Sequence, residues 1–244
     1  MRNIKLTIEY DGTNYLGWQK QKIGNTIQNT IEEAIKILTN EEVEVIGSSR
    51  TDAGVHAKGF VANFKTMSKI PDNKYREAIN HKLPDDIVIL KSEEVDEAFH
   101  ARYNARGKTY SYSIINRDTP CAINRNYLYH VKKKLNVEAM KEACKYFIGT
   151  YDFSSFKTSG SSVKTNVRTI FELYIEEKDD IIKIYVTGDG FLYNMVRIIA
   201  GTALYVSEGK INPADTKKLI ELKSRDALGL TAPAKALFLN KVIY

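Results

Sequence analysis

The hydrophobic positions of this 244-residue chain fall into short alternating and helical blocks, which predict the order of its elements. Ile4, Leu6, Ile8 and Tyr10 alternate with polar residues, the period of a half-buried strand, and Asp11-Gly12 ends it. Across 26–39, Ile27, Ile31, Ala34, Ile35 and Leu38 share one helical stripe, behind a Thr26 suited to cap it. Strands are predicted over 43–49, 59–66 and 87–95, with a helix near 73–82. A second series repeats the outline. It opens with an alternating strand over 108–116, where one of Tyr110 and Tyr112 is expected against the packed side of the sheet. An amphipathic helix over 136–149 follows, with Gly149 as its stop. Segments 167–178 and 181–189 read as a hairpin across Asp179-Asp180, 192–209 as a long helix with a glycine end, and 235–244 as a closing strand.

Two successive series of strands and helices imply an α+β protein with mostly antiparallel pairing. The division expected is 1–105 and 106–244, with no low-complexity linker marking it. At 43% hydrophobic residues the chain has enough apolar surface for a sizeable core. The net charge of +6 permits a polyanionic partner without requiring one. No apolar run suits a signal peptide or a membrane span. Two cysteines, Cys121 and Cys144, are too few for a disulfide scaffold and read as reduced thiols. A cytoplasmic protein is expected.

Several chemistries lack their motifs. "RGKT" at 106–109 is no phosphate loop, because position 102 is Arg where that loop needs Gly. "GDG" at 188–190 lacks the third glycine of a dinucleotide fingerprint. The four histidines, at 56, 81, 100 and 130, lie far apart and no zinc spacing occurs. No GxSxG turn is present. Neither a nucleotide cofactor nor a metal is expected.

Three kinds of group recur at predicted element ends. Asp52 lies between Thr51 and Ala53-Gly54; the arginines are 50, 102, 106, 168 and 197; the aromatics are Tyr15, Trp18, Phe99, Tyr103, Tyr110, Tyr112, Phe191 and Tyr193. A reactive carboxylate, phosphate-holding arginines and stacking aromatics together suit an enzyme acting on a base in RNA. Taken singly, each has a plainer reading. An aspartate after Thr is usually a turn former or cap. Lys132–Lys134 reads as solvated surface, with RNA contact as the alternative. His56 only orients its loop. Arg197, among Val196, Ile198 and Ile199, needs a partner, since an unpaired buried charge is costly.

"RTDAGVHA" at 50–57 resembles the signature of the tRNA pseudouridine synthase A (TruA) family. The likeness runs along nearly the whole chain, through "EYDGTNYLGWQ" (9–19), "FHARYNARGKTYSYSI" (99–114), "DFSSF" (152–156) and "GFLYNMVRIIAGTAL" (190–204). One departure is Ser49, where many members have Gly before the motif arginine. The resemblance implies the pseudouridine synthase fold, two ferredoxin-like halves sharing a mixed, mostly antiparallel sheet with a central cleft. It implies isomerisation of uridine to pseudouridine at positions 38 to 40 of the tRNA anticodon stem-loop, by a homodimer without cofactor or metal. The implied partner is tRNA, not DNA. Matched residue by residue, the catalytic aspartate falls on Asp52, the uridine-contacting tyrosine on Tyr110, the active-site arginine on Arg197 and the motif arginine on Arg50. Two other classes are weighed against this. An RNA-binding module of tandem ferredoxin-like units would show the aromatic RNP string, which is absent. A carboxylate hydrolase would want a second acid, and the nearest upstream is Glu44, across a strand.

Overall fold

Strand β1 (Arg2–Tyr10) shows the predicted alternation, with Ile4, Leu6, Ile8 and Tyr10 all buried. The computed structural model describes residues 1–158, 160 and 163–244. In chain order β1 is followed by α1 (Ile27–Thr39), β2 (Ile46–Gly47), β3 (His56–Thr66), α2 (Tyr75–Asn80) and β4 (Ile87–Val95). Next come β5 (Gly107–Asn116), β6 (Tyr129–Val131), α3 (Val137–Lys145), β7 (Gly149–Asp152), β8 (Val167–Lys178) and β9 (Ile181–Gly188). Helices α4 (Met195–Ser207) and α5 (Thr216–Glu221) precede the final strand, β10 (Leu237–Ile243). Among the described residues no helix is long and apolar enough to cross a membrane.

The chain forms two compact units, residues 1–106 with 238–244, and residues 107–237. In the first, β1 pairs antiparallel with β3 on one side and β4 on the other, and β2 pairs antiparallel with β3. Strand, helix, two strands, helix, strand in the spatial order β4-β1-β3-β2 is a ferredoxin-like arrangement. β10 joins this unit by parallel pairing with β3, setting Phe238 opposite His56. Helix α1 lays its predicted stripe of Ile27, Ile31, Ala34 and Ile35 into the core, and Thr26 caps it by accepting from the Asn29 N–H. On the second unit, β5 pairs with β9, β9 with β8 and β8 with β7, all antiparallel, while β6 runs parallel to β5. Helix α4 is buried along most of its length, from Met195 to Val206. Both units are therefore α+β with mixed, mostly antiparallel pairing, as expected.

Two of the expected elements differ from the sequence pattern, and β6, β7 and α5 are not among those expected. The strand expected over 43–49 shrinks to Ile46–Gly47. Its neighbour Val45 finds its partners on α1 instead of in a ladder: its N–H donates to Glu32 Oε1 (3.0 Å) and its carbonyl accepts from Gln28 Nε2 (3.2 Å). Gly149 does not stop α3, which ends at Lys145, four residues earlier. Phe147, fully buried and edge-on to Phe156 at 5.1 Å, draws the chain into the core first. Gly149 instead opens β7, at a φ of +128° that only glycine adopts readily. The hairpin across 179–180 forms as expected, with Lys178 opposite Ile181.

Candidate active site

The signature "RTDAGVHA" occupies the loop from β2 into β3. The Val55 N–H donates to the Asp52 carbonyl (3.1 Å), closing a turn whose third residue, Gly54, has φ +75°. A type II turn requires that positive φ, so the glycine after Asp52-Ala53 is a conformational necessity. Thr51, 8% exposed, exchanges a hydrogen bond between its hydroxyl and that of Tyr10 (2.8 Å), and its carbonyl accepts from the Trp18 N–H (3.0 Å). Asp52 itself is half-buried and Arg50 is exposed.

The opening motif "EYDGTNYLGWQ" is the bed on which this loop lies. Gly17, at φ +94°, has no room for a side chain: a Cβ there would stand 2.4 Å from the Thr51 carbonyl oxygen and 3.0 Å from the Asp52 carbonyl carbon. A Cβ on Gly12 would stand 2.0 Å from the Val55 carbonyl oxygen. Trp18 stacks on Phe60, centroids 4.0 Å apart, and Gly47 leaves space for the indole. Tyr15 donates to the Asp86 carboxylate, and burial, then that bond, push its hydroxyl far above the usual phenol range. Tyr15 and Trp18, 4% and 3% exposed, are thus core residues supporting the loop and not surfaces for a base. These supporting roles carry no periodicity; the two glycines were their only signal.

His56, 1% exposed, places Nδ1 at 3.0 Å from both the Gly12 N–H and Asp11 Oδ1. The two contacts ask for opposite protonation at Nδ1. Gly12 N–H asks Nδ1 to accept and Asp11 Oδ1 asks it to donate, while Asp11 Oδ1 also takes the Thr13 N–H (2.9 Å). The imidazole also stacks on Phe238 at 4.7 Å. It ties the motif loop to the opening loop, in keeping with an orienting role.

The other proposed site residues lie in the second unit. Tyr110 and Tyr112 share one face of β5, opposite Val186 and Ile184, and both are buried. The expectation that only one faces the packed side fails because residues two apart on a strand point the same way. Tyr110 meets Phe191 edge-on at 5.2 Å, and the Tyr112 hydroxyl donates to the Pro233 carbonyl (3.0 Å). Arg197 is half-buried on the first turn of α4. Its Nε donates to the Ala232 carbonyl (2.6 Å) and its Nη1 to Asn194 Oδ1 (2.7 Å). The Ala232 N–H returns to the Arg197 carbonyl (3.1 Å). Neutral oxygens therefore meet two edges of the guanidinium. Close packing brings this segment in: a Cβ on Gly201 would stand 1.7 Å from the Leu230 carbonyl oxygen.

Lys132–Lys134 are exposed in a loop held by Asn116. The Asn116 Nδ2 donates to the Val131 and Lys133 carbonyls (2.8 Å each) and its Oδ1 accepts from the Leu135 N–H (3.0 Å). Glu44 is exposed. Among the described residues, no three His, Cys, Asp or Glu side chains gather as a metal ion would require.

Comparison with known proteins adds the chemistry. The family model described as tRNA pseudouridine synthase matches residues 6–104 and 143–244. The chain is 61% identical to "tRNA pseudouridine synthase A 2" of Clostridium perfringens over 244 residues, the full length of both. It is 57% identical to "tRNA pseudouridine synthase A" of Acetivibrio thermocellus, again over 244 residues and the full length of both. Among solved structures it resembles the crystal structure of a Cbf5-Nop10-Gar1 complex at 13% identity and a TM-score of 0.37, covering 82% of this chain and 45% of that one. With the motif loop seated as described and a match of this extent, the chain belongs to the tRNA pseudouridine synthase family.

Proposed function

We propose that this chain isomerises uridine to pseudouridine at positions 38 to 40 of the tRNA anticodon stem-loop, with Asp52 as the reacting carboxylate and no cofactor or metal. The observation that carries Asp52's role is the immobilised backbone of residues 51–55. Trp18, Gly12, Gly17 and the Gly54 turn fix the main chain, while the carboxylate remains half-exposed. A reacting group held this way has little orientation left to lose on the way to the transition state. The plain turn-former reading does not ask for such bracing.

The reaction breaks N1–C1′, turns the uracil and joins C5 to C1′; the C5 proton leaves and N1 gains one. Nothing is oxidised and no group is added. Asp52 serves either as nucleophile, at C1′ or at C6 of the ring, or as the base that takes the 2′ proton. Both routes need it ionised. On this reading Arg197 supports that ionisation, since a neighbouring guanidinium lowers a carboxylate pKa by about 1–3 units. Tyr110 stacks on the detached uracil, and its hydroxyl moves the proton at C5. Arg50, exposed beside the aspartate, suits a phosphate or the gap left by the flipped nucleotide. The working form is a homodimer in the cytoplasm, where its RNA resides; a sedimentation mass equal to one 27.7 kDa chain would count against the dimer.

Tritium release from tRNA carrying 5-tritiated uridine tests the function. Asp52→Asn should abolish release and leave folding and tRNA binding intact. Residual activity within about tenfold of the parent would remove Asp52 from either role, a bound far inside the loss expected of a covalent or acid-base group.

A further inference from the structure

We infer that Asn194 is a positioning residue for Arg197, setting the direction in which the guanidinium presents its remaining edge. Asn194 stands at the N-terminal boundary of α4, where an Asn side chain ordinarily accepts from an N–H of the first turn. It makes no such bond. Its backbone is left-handed, at φ +62° and ψ 6°, instead of the extended conformation usual at a cap. The residue thus forgoes the local contribution its type makes there, and departures of that kind gather at functional sites.

The amide instead joins two side chains, one on the first turn of α4 and one 36 positions away. Oδ1 accepts from Arg197 Nη1 at 2.7 Å, and Nδ2 donates to Thr158 Oγ1 at 2.9 Å. A guanidinium has no acceptor, so the amide can sit only this way round. Thr158 is itself tied down, since its N–H donates to the Tyr193 carbonyl (3.2 Å). Arg197 Nε is meanwhile held by Ala232 (2.6 Å). Two acceptors on different edges fix a planar fork in its plane, which a single contact would leave free to swing. Asn194 thereby links the segment after "DFSSF" to the arginine of "MVR", two motifs that the sequence shows only as separate strings.

The inference rests on the proposed role of Arg197, and the variants separate the two. Asn194→Gly keeps the left-handed backbone, which glycine adopts freely, and removes only the amide. Its kcat in tritium release should fall roughly 10- to 100-fold, the range for losing a hydrogen bond to a charged group. KM for tRNA should change less, by under about threefold, because the arginine's charge remains. Asn194→Asp retains the acceptor and tolerates the backbone, so it should recover kcat to within about threefold of the parent. In an Arg197→Met background, Asn194→Gly should cost nothing further, as expected of two residues acting as one unit. A folded Asn194→Gly with parental kcat, or a loss that adds fully to that of Arg197→Met, overturns the inference while leaving Arg197's role intact. Parental kcat in Arg197→Met overturns both.

Discussion

Gly17→Ala isolates the contribution of the opening loop to the placement of Asp52, the carboxylate proposed to react. Two costs arise together. At φ +94° a Cβ is strained, by about 1–2 kcal/mol on the scale of left-handed backbone. The new atom would also stand 2.4 Å from the Thr51 carbonyl oxygen, and ordinary contact begins at 3.4 Å, so one backbone must retreat by the difference of 1.0 Å. Tyr10, Trp18 and Gly54 hold both segments, so the retreat is passed to residues 51–53 and moves Asp52. A displacement of about 1 Å at a reacting group is worth on the order of 100-fold in rate. Turnover should therefore drop on the order of 100-fold, with Tm lowered by about 2–8 °C from the backbone strain alone. Gly209→Ala supplies the control. It has φ +74° and nothing within 4 Å of the added atom, so it carries comparable strain without displacement. It should lower Tm similarly and leave tritium release at the parental rate. Parental turnover in Gly17→Ala, or an equal loss in Gly209→Ala, would refute the argument that the loop's seat positions Asp52.

Tyr110→Phe should keep tRNA affinity and slow product formation, while Tyr110→Ala harms both, since stacking is worth about 1–3 kcal/mol per base; equal, mild effects would reduce Tyr110 to a strand residue packed on Phe191. The thiols should separate in a disulfide-exchange assay at pH 8. Burial pushes Cys144 up to about 12, so it stays protonated, while the half-buried Cys121 reacts. Two thiols titrating at one rate in the native protein would contradict the burial of Cys144.

Much of this protein could be read from the chain alone, wherever the physics is local. The alternation of Ile4, Leu6, Ile8 and Tyr10 and the stripe of Ile27, Ile31 and Ile35 fix which faces are apolar, because strand and helix periods are set by the backbone itself. Thr26 marks its helix start for the same reason. The signature around Asp52 singled out the residue proposed to react, since a carboxylate after Arg-Thr and before Ala-Gly is a string, not a shape. Tertiary structure decided what depends on residues meeting across many positions. Val45 left its expected strand because side chains of Glu32 and Gln28 were near enough to take its backbone groups. Arg197 reaches the carbonyl of Ala232 and the amide of Asn194, two contacts that depend on how α4 meets the segments beside it. The loop at 11–18 supports the loop at 51–55 through backbone-to-backbone contact, which leaves no periodic trace and shows in sequence only as Gly12 and Gly17. Packing of that kind is settled by the space left between distant segments, and that space exists only once the chain has folded.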